Sequence, residues 1–204
     1  MGDTMALTAT NLMTFAEFLD WNPENGRYEL IDGVTVEMQP TGKHEEVIAF
    51  LSGETFLQIR SLKLPYFLSN STLVKLPNQD SAYCPDILVL DRNFLSSEPL
   101  WEKSSTITKG SSVRLVVEVV STNWRDDYVY KMTDYESLGI PEYWIVDYLG
   151  LGGKRYIGFP KQPTITICQL IDGEYQLQLF KGNDRLISPL FPQLNLTPEQ
   201  IFQS

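Results

Sequence analysis

The chain has 204 residues, 43% hydrophobic and 12% aromatic, which is typical of a packed α/β domain and argues against a disordered segment. Its net charge of −10 argues against a protein that coats duplex nucleic acid non-specifically, because such binding depends on neutralising phosphates; a nuclease with a cluster of metal-binding acids remains compatible with it. Two distant cysteines, no signal-peptide pattern at the N-terminus and no apolar stretch of transmembrane length predict a soluble cytoplasmic protein. We expect one domain over residues 1–204.

The first predicted elements are a short helix, a hairpin and a long helix. Thr14 and Glu17 form a capping-box pattern at the start of TFAEFLDW. Two alternating runs joined at Asp32 and Gly33 predict a β-hairpin. A long helix is predicted in GKHEEVIAFLSGETFLQIRSL, with one side formed by His44, Ile48, Leu51, Thr55 and Ile59.

The middle of the chain predicts three strands, at Phe67–Leu76, Asp86–Leu90 and Leu115–Val120. Between the last two, the polar residues 96–112 predict a surface loop with at most one helical turn. A helix is then expected to end at Gly139, which suits the position just after a helix C-terminus.

The C-terminal part predicts a strand in PEYWIVDYL, a second hairpin at Asp172 and Gly173, and a last helical turn capped by Thr197. Taken together, the elements predict an α/β fold: a mixed central sheet flanked by helices, with a hairpin at each end.

Glu118 stands inside the aliphatic run RLVVEVVS, where a strand buried on both faces is expected. An isolated ionised carboxylate there would cost several kcal/mol or more. Pro85 places Asp86 at the start of the preceding strand, so the two acids can converge if the strands are neighbours. Mg²⁺ prefers such oxygen ligands. The alternative is that Glu118 lies at a fraying strand end, in water or paired with Arg114, and the pattern leaves both open.

The helix after this strand carries Asp127, Lys131 and Tyr135 four residues apart, so that they share one side of it. This side can lean over the strand end and bring Lys131 to a phosphate or a metal-bound water. Considered alone, the spacing is better explained by an ordinary exposed Asp–Lys pair on the helix surface.

These segments resemble the PD-(D/E)xK nuclease superfamily and, more closely, the Uma-two family of restriction-endonuclease-like proteins. That family has a Pro-Asp strand, a Glu-Val-x-Ser strand, a helix with Asp-x-x-x-Lys-x-x-x-Tyr and a Glu-Tyr-Trp-x-Val-Asp strand. The matching positions are Pro85-Asp86, Glu118 to Ser121, Asp127, Lys131, Tyr135 and Glu142 to Asp147. The superfamily's lysine usually stands two residues after the glutamate, and Val120 occupies that position here. The resemblance implies that Lys131, on the following helix, takes the place of the superfamily's lysine.

The resemblance implies a restriction-endonuclease-like fold and a Mg²⁺-dependent endodeoxyribonuclease, with Mn²⁺ as a substitute ion, DNA as substrate and a homodimer. No membrane partner is expected, because no apolar stretch reaches transmembrane length. Asp86, Glu118 and Lys131 would be catalytic, and Asp86, Glu118 and the Val119 carbonyl would hold the ion. The alternative is an inactive nuclease-fold module that binds a protein or a nucleic acid. A second set of candidates comprises Glu29, His44, Ser121, Asp127 and Tyr135. For Glu29 an exposed strand-face position is as good an explanation, and for His44 a histidine hydrogen-bonded for packing is the commoner case.

Because the chain is acidic overall, DNA binding is expected to depend on a local basic surface. The sequence offers four candidates along the long helix and the next strand: Lys43, Arg60, Lys63 and Lys75.

Overall fold

A computed structural model describes residues 12–21 and 26–204. The segment 1–11, from which the absence of a signal peptide is predicted, lies outside the described residues. No helix in the described ranges is long and apolar enough to cross a membrane.

The helices begin where the capping patterns predict. Helix α1 (Phe15–Trp21) opens with the Thr14–Glu17 capping box, in which the Thr14 amide donates to Glu17 Oε2 at 2.8 Å. Helix α2 (Gly42–Ser61) buries all five side chains predicted for its inward side. The shorter helices are α3 (Trp101–Ser104), α4 (Met132–Ser137), α5 (Lys154–Ile157) and α6 (Pro198–Phe202).

The strands form two sheets, where one central sheet is predicted. The first is mixed, in the order β2 (Val34–Glu37), β1 (Tyr28–Ile31), β5 (Ala82–Tyr83), β4 (Leu73–Lys75) and β7 (Thr106–Ile107). The second is also mixed, in the order β11 (Glu174–Phe180), β10 (Thr164–Ile171), β9 (Glu142–Asp147), β8 (Val113–Val119), β6 (Ile87–Asp91) and β3 (Tyr66–Ser69). The chain passes from the first sheet to the second through residues 84–86, which places Asp86 at their junction.

Two local predictions are wrong. The strand predicted at Phe67–Leu76 is broken into β3 and β4, which belong to different sheets, at a polar turn where the Ser69 and Thr72 hydroxyls lie 2.7 Å apart. The loop predicted over residues 96–112 contains β7, which pairs with β4. The buried Glu98 carboxylate stabilises this segment by accepting bonds from the amide and hydroxyl of Thr108 and from the Ser112 hydroxyl.

Both faces of β8 are buried, as its sequence predicts. Leu115, Val117 and Val119 pack in one core cluster with α2, whereas Val116 and Val120 pack in a second cluster with tyrosines of the helical segment that follows. Strand β8 pairs antiparallel with β6 and parallel with β9, so its C-terminal end lies beside the start of β6. This register brings residues 118 and 119 to Asp86.

Candidate active site

Asp86 and Glu118 converge at the junction of the two sheets, as predicted. The Val119 amide donates to Asp86 Oδ2 at 2.8 Å, so the carboxylate is anchored to the end of β8. Both side chains are almost completely buried. The alternative of a fraying strand end is therefore wrong for Glu118, and Arg114 pairs with Asp91 instead, at 2.8 Å.

Lys131 is the cation that faces Glu118. Its Nζ lies 3.1 Å from Glu118 Oε1 and 2.9 Å from Glu29 Oε1. Asp127 Oδ1, four residues earlier, is 4.0 Å away. The lysine is only 4% exposed, so the alternative of an exposed Asp–Lys pair is wrong. A π-helical turn over Asp126–Lys131, continued by α4, carries this side of the helix over the strand end.

Three residues of the second set join this cluster. Glu29 comes from β1 of the other sheet, and its Oε1 also accepts the Cys84 amide at 3.0 Å. The Tyr135 hydroxyl donates to Glu118 Oε1 at 2.8 Å and fixes the orientation of that carboxylate. Asp127 is buried beside Lys131. Ser121, by contrast, is exposed on the wall of the cavity above the cluster.

His44 reaches the site from the first turn of α2. Its Nε2 lies 2.8 Å from the Val119 carbonyl oxygen and 3.5 Å from Asp86 Oδ2. Sequence reasoning missed Arg27, whose Nη2 donates to the Cys84 and Pro85 carbonyls, both at 3.1 Å, and whose Nη1 lies 3.6 Å from Asp86 Oδ1. The only sequence signal for Arg27 was its position two residues before Glu29 at the start of β1.

A cavity of about 370 Å³ opens above these side chains. It is lined by five carboxylates, against two basic side chains and His44: Glu37, Asp86, Glu118, Asp126 and Asp127 face Arg27 and Lys131. Acidic side chains thus outnumber basic ones around the cavity, and an added cation would favour the entry of a phosphate.

Burial and neighbouring charges shift the pKa values of Glu118 and Lys131 in opposite directions. Burial raises the pKa of Glu118 well above its ordinary range, and Lys131 opposes that rise. Burial alone would lower the pKa of Lys131, but Glu118, Glu29 and Asp127 raise that pKa well above its ordinary value. Lys131 thus stays an ammonium, which stabilises negative charge and is a poor proton acceptor.

The donor set fits a divalent ion held by two carboxylates and one carbonyl. Asp86 Oδ1 is buried, lies 3.6 Å from Arg27 Nη1 and accepts no hydrogen bond from the described residues, so this oxygen of the anchored carboxylate can take a ligand. Within residues 12–21 and 26–204, no three His, Cys, Asp or Glu side chains are arranged to hold an ion by themselves. Mg²⁺ keeps several waters and is commonly bound through one or two carboxylates, so the set is sufficient for that ion.

Asp127 predicts a pH-dependent stability. Burial raises the pKa of Asp127 to about 7 from an ordinary value of 3.8, so the folded state holds its proton to higher pH than the unfolded state. Its contribution to stability is therefore largest below pH 4 and falls as pH rises from about 4 to about 7. Asp127→Asn should remove this loss. The melting temperature of the variant minus that of wild type, both measured in EDTA, should therefore increase by at least roughly 2–4 °C from pH 5 to pH 8.

The matched control is Asp172→Asn, on the exposed turn of the second hairpin. Its melting temperature should follow wild type across the same pH range. A difference between Asp127→Asn and wild type that does not change with pH would contradict the prediction.

The mixed α/β fold is similar to that of a solved protein of the nuclease class. A solved structure titled "putative nuclease belonging to DUF820", from Anabaena variabilis ATCC 29413, is similar to 94% of this chain and 98% of that chain, with a TM-score of 0.69 and 16% sequence identity. The chain belongs to the Uma-two family, Uma2, whose model, described as "Putative restriction endonuclease", matches residues 15–199. The resemblance found in the sequence is thereby confirmed. No curated protein matches the chain.

Proposed function

We infer that the chain is a metal-dependent endonuclease that hydrolyses phosphodiester bonds of DNA, with Mg²⁺ as its ion and Mn²⁺ as a substitute. The observation that carries this proposal is the convergence of Asp86, Glu118 and Lys131 in one acidic cavity, with a buried Asp86 oxygen left free of hydrogen bonds. Family membership and a nuclease-like fold support the same activity.

Each residue has a proposed task. Asp86, Glu118 and the Val119 carbonyl would hold the ion, which when bound lowers the pKa of a coordinated water and polarises a phosphate oxygen. The Lys131 ammonium would stabilise the negative charge that develops on the phosphate as water adds and the leaving oxygen departs. Tyr135 would orient Glu118 through its 2.8 Å hydrogen bond, and His44 would donate from Nε2 to the Val119 carbonyl.

Glu29 is proposed to share Lys131 with Glu118 and so to fix the ammonium between them. Because Glu29 comes from one sheet and Glu118 from the other, we also propose that residues 1–204 act as one domain. The homodimer stays a prediction of the family resemblance.

One observation favours the inactive module as a second candidate. Lys131 already lies within 3.1 Å of both Glu29 and Glu118, so a cation compensates these carboxylates without any metal. A retained scaffold that binds a partner but no ion would have this arrangement as well.

The experiment that tests the proposal combines calorimetric titration with Mn²⁺ and a cleavage assay on supercoiled plasmid DNA in Mg²⁺ or Mn²⁺. Wild type should bind the ion and cleave. Asp86→Asn should do neither, because the amide oxygen still accepts the Val119 amide while the charge is removed, and cleavage should fall by at least roughly 10²-fold. Glu102→Gln, on the exposed side of α3, should behave as wild type. Equal cleavage by wild type and Asp86→Asn would contradict the metal site, and a folded wild type that neither binds Mn²⁺ nor cleaves would favour the inactive module.

A further inference from the structure

The segment between β9 and β10, residues 148–163, differs in charge from the rest of the chain. It contains three basic residues and no Asp or Glu, in a protein that has 26 acidic and 16 basic residues overall. The basic side chains, Lys154, Arg155 and Lys161, are all exposed. Such a local reversal of sign is the footprint expected of a surface that binds a polyanion.

Aromatic rings accompany these charges. Phe159 is 78% exposed, and the Lys154 ammonium lies 4.5 Å from the centre of its ring. The exposed Arg125 guanidinium lies 4.6 Å from a ring centre of Trp124. A large apolar ring at this exposure has a free face that can stack on a partner.

This surface is continuous with the candidate active site. Tyr148, Leu149 and Leu151 line the active-site cavity, and the Lys161 ammonium donates to the Leu151 carbonyl at 2.8 Å. Trp124 packs so closely on Gly153 that a Cβ there would lie 2.8 Å from its ring, which joins Arg125 to the same surface. We call Arg125, Lys154, Arg155, Phe159 and Lys161 the basic flank.

The neighbouring cavity, which also has Lys131 in its wall, is acidic. It is lined by Asp32, Asp126 and Asp134 and contains no basic side chain other than Lys131 among the described residues. A polyanion approaching Lys131 is repelled from that side and attracted on the basic flank. The charge distribution thus defines the direction in which a nucleic acid enters the site.

The four basic residues predicted from the sequence do not form this surface. Lys43 lies in the first turn of α2 and Arg60 in its last turn, roughly 25 Å away at 1.5 Å per residue. Lys63 lines a different cavity with Arg60, and the Lys75 ammonium lies 5.1 Å from the ring centre of Phe15.

We propose that the basic flank holds a single-stranded segment of the nucleic acid substrate beside the scissile phosphate. The basic side chains contact the phosphates, and Phe159 stacks on an unpaired base. Stacking on an exposed ring favours a single strand, because the faces of paired bases are covered within a duplex. This inference rests on the proposed nuclease function and adds the substrate class to it.

The test measures fluorescence anisotropy in EDTA with a labelled 20-nucleotide oligothymidylate and with a labelled 20-base-pair duplex, so that it needs neither metal nor cleavage. Wild type should bind the single strand more tightly than the duplex. Phe159→Ala should weaken single-strand binding by about 5- to 150-fold and leave duplex binding nearly unchanged. Lys154→Glu with Arg155→Glu should weaken binding of both the single strand and the duplex. The plot of log affinity for the single strand against log salt concentration should flatten by roughly 0.7 in slope for each basic side chain lost.

The matched control is Lys103→Glu with Lys109→Glu, which makes the same charge change at two exposed lysines outside the cavity. Equal weakening by this control would overturn the inference, as would single-strand binding that Phe159→Ala leaves intact.

Vesicles of phosphatidylserine test a membrane as the alternative partner. If wild type binds the vesicles but not the single strand, and the flank variants lose vesicle binding, the basic flank is a membrane-binding surface and the inference is overturned. If wild type cleaves plasmid but the flank variants bind as wild type does, this inference fails while the proposed function stands. If binding follows the prediction but Mn²⁺ supports no cleavage, the basic flank still binds a single strand while the proposed nuclease function fails.

Discussion

Replacing Lys131 by methionine is expected to abolish DNA cleavage, with a loss of at least roughly 10²–10³-fold. Methionine keeps most of the side-chain length but removes the ammonium that lies 3.1 Å from Glu118 and 2.9 Å from Glu29. The developing charge on the phosphate would then face only carboxylates from this side. Affinity for Mn²⁺ should not fall, because lysine is no ligand and its removal makes the cavity more negative.

The control for this variant is Lys103→Met, which removes an exposed lysine from α3 and should retain full activity. Thermal unfolding separates chemistry from folding, since the loss of Lys131 leaves two buried carboxylates that must take up protons. Full cleavage by a folded Lys131→Met protein would assign the lysine a purely structural role as the partner of Glu29 and Glu118.

A relocated lysine extends the same prediction. Val120 directly follows β8, on the side of the strand that carries Glu118, and lines the cavity at the place where the superfamily's lysine stands. In Val120→Lys with Lys131→Ala, the ammonium returns to the strand, and cleavage should recover in part relative to Lys131→Ala. A double variant that melts as Lys131→Ala does and yet shows no recovery would contradict a shared position for the two lysines.

Replacing Glu142 by alanine is expected to cause the largest loss of stability, about 3 kcal/mol or more. This buried carboxylate accepts bonds from Trp144 Nε1 at 2.7 Å, the Ser188 hydroxyl at 2.6 Å and the Leu190 amide at 3.0 Å. Alanine leaves the buried Trp144 and Ser188 donors and the half-buried Leu190 amide without this partner and opens a space in the core. The melting temperature should fall by roughly 6–12 °C for a chain of this size.

Glu142 belongs to the motif that carries the family resemblance, yet it lies at the start of β9, roughly 10–13 Å along the sheet from Glu118. Cleavage per folded molecule should therefore be unchanged well below the melting temperature. Glu174→Ala, at an exposed position of β11, should leave stability within about 0.5 kcal/mol. Lost cleavage in Glu142→Ala without a lower melting temperature would contradict this structural role.

The helix ends and hairpins of this protein follow from its sequence, because the interactions that form them join residues close in the chain. The Thr14 and Thr197 capping boxes each close within three residues. Asp32 and Gly33 both have positive φ, as the predicted two-residue turn requires. Gly139, also at positive φ, ends α4, and the Ile140 amide donates to the Tyr135 carbonyl at 3.0 Å.

The sequence also indicated Glu118 and Lys131 as residues of the site, each for a different reason. A glutamate within an aliphatic strand is costly to bury unpaired, and that cost drew attention to Glu118 but left a metal site and a fraying strand end both open until the family resemblance favoured the metal site. The role of Lys131 came from the family resemblance, since its spacing from Asp127 equally describes an exposed helix pair. The two alternatives differ only in burial, and burial depends on what the rest of the chain places over the helix.

Only the tertiary structure decided which strands share a sheet and which groups surround Lys131. Strand β4 separates from β3 because it pairs with β7, about 30 residues further along the chain. The short polar segment that contains β7 does not show from its sequence which strand it will pair with. Glu29 lies 102 residues from Lys131, and Arg27 lies 59 residues from Asp86, so no periodicity connects them. Local hydrogen bonds and strand alternation determined the helices and strands. Contacts between distant segments decided the charge balance of the site, because the energy of a charged group depends on its burial and its partners, which only the folded chain supplies.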